Sequence, residues 1–184
     1  KGAIFHDHYD AWDGKPAEAF RDSAFPPPSA ELIEQLYRTE SVALSMMDKH
    51  YDAAPVNERK HIYYTMLSYW SGVLDTVKPD AVVFAIVPHT VYNYILYELA
   101  RMRGLPTPCF EDTYVGAHLL YYNDFWKGSE ELRVAVRRSS GVKASDLPVD
   151  LKAYLERFSR TDAQPVYMAQ QKSVGAGWGL LLHR

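Results

Sequence analysis

The chain has 184 residues, of which 47% are hydrophobic and 23% charged; this is enough for a sizeable core in one domain and excludes a disordered chain. A net charge of −3 with no long basic run argues against nucleic acid, whose phosphates demand a concentrated positive face. The single cysteine, Cys109, rules out an internal disulfide or a thiolate zinc site built from this chain alone. No stretch of 18 or more apolar residues suggests a membrane-spanning segment.

Taken in chain order, AIFHDHYDAW (residues 3–12) reads as a short strand running into a loop, turned by Asp13-Gly14. Pro26-Pro27-Pro28 is a rigid connector, and Ser29 is the expected N-cap of a helix reaching about Tyr51. Asn57 is expected to cap the next helix, to Val77, whose apolar positions Ile62, Met66, Trp70, Val73, Leu74 and Val77 keep steps of three and four. Pro79 then bars continuation.

Ala81–Val87 is apolar on both alternating faces, the pattern of a parallel strand covered on both sides. A helix over Val91–Arg103 follows, with Val91, Ile95, Leu99 and Met102 on one face and Gly104 just beyond its end. CFEDTYV, from Cys109, supplies a second strand, so the three segments form a βαβ unit with a right-handed crossover. His118–Tyr122 reads as another short strand, Glu130–Arg138 as a helix capped by Ser129, and Leu151–Phe158 as one more helix. Arg133, Arg137 and Arg138 mark a solvated helix face. The glycine-rich tail after Pro165 has no assigned structure. The expected fold is α/β: a Rossmann-like, mainly parallel sheet flanked by helices, one domain over 1–184. A chain opening on Lys1 rather than Met reads as a processed protein or as a piece of a longer one.

The apolar run VVFAIVPHT stops abruptly at Pro88-His89-Thr90. In open α/β sheets ligands bind at the carboxyl ends of the strands, which is where this tripeptide falls. His89 can exchange a proton near neutral pH, and Thr90 can cap the following helix beside its free N–H groups. The next strand would bring Glu111 and Asp112 to the same edge. The expected site is therefore His89 as catalytic group with Thr90, Glu111 and Asp112 as binding residues. A loop histidine and solvated carboxylates read equally from these residues, so the alternative stays open.

In a strand, His6 and His8 would share a face, as two metal ligands might. No second ligand cluster accompanies them, and polar contact with a ligand at the rim of the same edge is the preferred reading. No GxGxxG, GxxxxGK[ST] or GxSxG occurs, so neither a dinucleotide, a P-loop phosphate nor a serine-hydrolase elbow is supported; no cofactor and no metal is expected. Fourteen tyrosines, among them Tyr63-Tyr64, Tyr92, Tyr94, Tyr97 and Tyr121-Tyr122, suit a sugar site, a plain core or a protein interface.

From about Lys78 to Arg133 the sequence resembles the amino-terminal region of bacterial surface-carbohydrate and capsular polysaccharide biosynthesis proteins. The features that carry the likeness are Pro79-Asp80 before the strand, Pro88-His89 after it, Tyr97-Glu98-Leu99-Ala100 in an aromatic helix, the proline entry to the next strand, and Asn123-Asp124 before Gly128-Ser129. The resemblance implies a Rossmann-like half of a two-domain glycosyltransferase of the GT-B type, on its acceptor side. His89 would act there as base or acceptor contact. A sugar or nucleotide-sugar would be the ligand of the parent protein, and the chain by itself would be inactive. The alternative is a non-catalytic carbohydrate-binding or assembly protein of the same pathway. A cytoplasmic location is the default, and a homo-oligomer stays open.

Overall fold

The computed structural model describes residues 2–113 and 118–160. Two compact units emerge, Lys1–Glu111 with Leu119–Glu130, and Asp112–His118 with Glu131–Arg184. The first contains helices α1 (His8–Trp12), α2 (Ala30–Gln35), α3 (Tyr37–Met46), α4 (Val56–Val77) and α5 (Val91–Met102), followed by strands β1 (Cys109–Asp112) and β2 (Leu119–Tyr122). Its core lies where α3, α4 and α5 pack on one another. Met66, Leu67, Trp70 and Leu74 of α4 meet Ile95 and Leu99 of α5 there, with Ala43 and Met47 beside them. Each such side chain, fully buried, contributes on the order of 1.5–3 kcal/mol.

Helix α4 ends because Lys78 turns into the left-handed region (φ 49°), its N–H still bonded to the Leu74 carbonyl, and Pro79 cannot continue. Helix α5 ends at Arg103 and Gly104, the latter at φ 71°, a conformation that glycine adopts without strain.

The Rossmann-like α/β expectation is overturned. The chain is mostly helical (54%), and among the described residues its sheet has only two strands, β1 and β2, paired antiparallel. Six residues (113–118) separate those strands, and a parallel pair needs a crossover of roughly a dozen or more. Ala81–Val87 contributes a single parallel bridge, Phe84 with Cys109, in which Phe84 N–H donates to the Pro108 carbonyl and Phe110 N–H to the Phe84 carbonyl. The segment bends at Ala85-Ile86. Phe84 is buried, whereas Val83 and Ile86 are 63% and 50% exposed. An apolar run becomes a two-faced core strand only when something covers both faces, and this unit places most of its buried apolar surface between helices.

Three local expectations also change. Residues 3–12 form no strand: the Asp7 carboxylate accepts from the N–H groups of Tyr9 and Asp10 and caps α1. Ser29 caps a helix as expected, its Oγ accepting from Leu32 N–H. That helix breaks at Leu36 (φ −105°, ψ 19°), which buries its side chain, and α3 with a 3₁₀ turn over Met47–Lys49 completes the run. Helix α4 starts at Val56 after Pro55, so Asn57 lies inside its first turn rather than at the cap.

In the second unit α6 (Glu130–Arg138) and α7 (Val149–Phe158) bury no residue, and Arg133, Arg137 and Arg138 are exposed. Before α7, a 3₁₀ turn (Ala144–Asp146) is closed by Asp146 accepting from Lys143 N–H. The tail beyond Pro165 and the Tyr114-Val115 end of the second predicted strand lie outside the described residues.

Candidate functional site

Pro88 is buried and carries the chain out of the bridged segment, leaving His89 exposed. His89 Nδ1 lies 2.9 Å from the Val87 carbonyl. A carbonyl only accepts, so Nδ1 carries the proton and the neutral ring keeps its lone pair on Nε2. In that tautomer the ring can act as a general base through Nε2.

Thr90 occupies the N-cap position of α5 (φ −108°, ψ 153°), but its hydroxyl bonds no helix N–H; it is buried without a hydrogen-bond partner. Burial raises the neighbouring Tyr92 phenol above its ordinary value, against the pull of Asn93 and Thr90.

Glu111 is exposed and accepts from the Tyr122 hydroxyl across the β1–β2 pair. Burial, joined by the Glu111 charge, pushes that phenol up to about 12. Asp112 closes β1 and is also exposed. No hydrogen bond or ion pair joins His89 to Glu111.

His6 and His8 come together through two aromatic rings. His6 stacks on Trp70 (5.2 Å, 30°), Trp70 stacks on Tyr92 (5.9 Å, 23°), and the Tyr92 hydroxyl lies 2.7 Å from His8 Nδ1. Thr90 adjoins this group through Tyr92, so His6, His8 and Thr90 converge while Glu111 is held by Tyr122. Among the described residues, no three His, Cys, Asp or Glu side chains gather in a way that could hold a metal ion.

His6 also lines a pocket of about 510 Å³. Gly2, Ile4 and His6 from the amino-terminal segment line it together with Tyr69, Val73 and Val77 of α4, and Ala17 and Phe20 contribute as well. His6 Nε2 lies 3.0 Å from the Lys15 carbonyl and therefore carries a proton; its Nδ1 is 3.4 Å from the Tyr69 hydroxyl. The Tyr69 oxygen accepts from Ala17 N–H at 2.9 Å. Burial raises the Tyr69 phenol above its ordinary value, against the bond from Ala17.

Tyr69 and Phe20 were not among the expected site residues. Tyr69 lies beside Trp70 on a helix whose spacing shows only a core stripe, and nothing in the sequence says that residues 2–6 lie over that stripe. Three of the seven tyrosines considered for a sugar site are core instead: Tyr63, Tyr94 and Tyr97 are buried.

No family model, no curated protein and no solved structure matches this chain. Among the described residues, no helix is long and apolar enough to cross a membrane.

Proposed function

We propose that this chain is the acceptor-side domain of a glycosyltransferase in surface or capsular polysaccharide biosynthesis. The pathway rests on the likeness between Lys78 and Arg133. The observation that carries the chemistry is the exposed His89 ring, whose proton is committed to the Val87 carbonyl and whose Nε2 lone pair is free to accept. In the parent protein Nε2 takes the proton of an acceptor hydroxyl as that oxygen attacks the anomeric carbon of the donor sugar. The nucleotide leaves with the electrons of the broken bond, and the donor is held by residues outside this chain. A cytoplasmic location belongs to the same proposal, in keeping with a buried, unpaired Cys109.

The engagement of Glu111 by Tyr122, away from His89, favours a second reading, a non-catalytic carbohydrate-binding or assembly protein of that pathway. Sugar transfer by the intact parent decides between them. A general base contributes roughly 10²–10⁴-fold, so His89→Ala should slow transfer by about that factor while circular dichroism stays unchanged. A parent that transfers no sugar, or a His89→Ala variant at the wild-type rate, leaves only the binding reading.

A further inference from the structure

We propose that the slot between residues 2–6 and α4 binds a single aliphatic chain ending in a hydroxyl group. This site is separate from His89 and stands whether or not His89 is a base.

The shape selects a chain. Gly2, Ile4 and His6, alternate residues of the amino-terminal segment, line it. Tyr69, Val73 and Val77, four residues apart, line it from α4, a stripe of about 12 Å at 1.5 Å per residue. The volume of about 510 Å³ falls within the ordinary range for small-molecule pockets.

Trp70 lines the slot with its ring already stacked on those of His6 and Tyr92, beside the aliphatic side chains of Ile4, Val73 and Val77.

The polar end selects the head group. The 3.4 Å between Tyr69 Oη and His6 Nδ1 is longer than a good hydrogen bond, and the Tyr69 oxygen is already engaged by Ala17 N–H. A ligand hydroxyl can accept the Tyr69 proton and donate its own to Nδ1, satisfying both. A carboxylate has no proton for Nδ1, and an ammonium has no lone pair for Tyr69.

Isothermal titration with 1-hexanol, 1-heptanol, 1-octanol, octanoate and octylamine tests the assignment. The alcohols should bind saturably at one per chain, with affinity rising about fourfold per added methylene. Octanol should bind more tightly than octanoate or octylamine. Tyr69→Phe should weaken octanol by about two- to tenfold, the size of one hydrogen bond, with an unchanged circular dichroism spectrum. Val73→Trp should fill the slot and abolish binding. The assignment is overturned by the absence of saturable alcohol binding, by tighter binding of octanoate or octylamine, or by a folded Tyr69→Phe variant that binds octanol as the wild type does.

Discussion

Asp124, in the turn after β2, lies 3.2 Å from the Arg101 guanidinium on α5 and accepts the Tyr97 hydroxyl at the same distance. Trp126 N–H also donates to it, while the Trp126 indole donates to Glu98 one turn before Arg101. The turn is thereby fastened to the carboxyl-terminal half of α5, beside the small cluster of Phe84, Tyr97 and Cys109. Burial alone would raise the Asp124 pKa; the Arg101 charge, the bonds from Tyr97 and Trp126 and the Lys127 charge outweigh it and leave the carboxyl below its ordinary value of 3.8.

The first prediction concerns acid stability. A carboxyl with a depressed folded-state pKa stabilises above its unfolded value, and that contribution is lost as pH falls through the folded value. Asp124→Asn should therefore cost about 1.5–3 kcal/mol at neutral pH, the range for hydrogen bonds to a charged group. The gap to wild type should hold down to about pH 5 and close below the ordinary value of 3.8. Urea titrations of both proteins across pH 3–7 measure it; a gap independent of pH would mean that the charge of Asp124 contributes nothing.

The second concerns Trp70, which is 9% exposed and held between His6 and Tyr92. Trp70→Ala should destabilise by about 3–5 kcal/mol, as large aromatic truncations in cores do. A urea titration giving a loss under about 1 kcal/mol would show that the α4–α5 face is not packed as described.

The third uses the lone thiol. Burial, with a smaller push from the Asp124 charge, raises Cys109 to about 11, and its Sγ donates to the Thr107 carbonyl. Thiolate is the reactive form, so an aromatic disulfide reagent at pH 8 should leave native Cys109 essentially unmodified. Labelling should follow the unfolding transition as urea is added. Rapid modification without denaturant would refute the burial of this cluster.

What the sequence reveals here follows the range of the forces involved. Helix α5 is legible almost to the residue, because Val91, Ile95 and Leu99 keep one face and Gly104 ends it; such signals are local. The cap at Ser29 and the turn at Gly14 are legible for the same reason. Ala81–Val87 misleads, because an apolar run reports that a segment is greasy and not whether partners exist to cover it. Its parallel contact shrinks to one bridge at Phe84, and Val83 and Ile86 remain exposed. The His6–Trp70–Tyr92–His8 chain joins residues 84 apart at its widest, and no local pattern encodes that meeting.

The last prediction rests on Gly72, buried in the middle of α4 with the Phe25 ring lying directly on it. A Cβ at position 72 would enter that ring, which packs in turn against Phe20 and Tyr69. Two effects oppose each other in Gly72→Ala. Alanine gains about 1 kcal/mol over glycine in a helix interior, whereas forcing a well-packed group aside costs about 1–3 kcal/mol. The ring's neighbours leave it little room to retreat, so Gly72→Ala should destabilise the wild-type protein by about 1 kcal/mol net. In a Phe25→Ala background the obstruction is gone and only the helix gain remains, so the same substitution should stabilise by up to about 1 kcal/mol. Four urea titrations complete the double-mutant cycle. A change of sign between the two backgrounds is the expected result. The same effect of Gly72→Ala in both would mean that the ring of Phe25 does not rest on this helix.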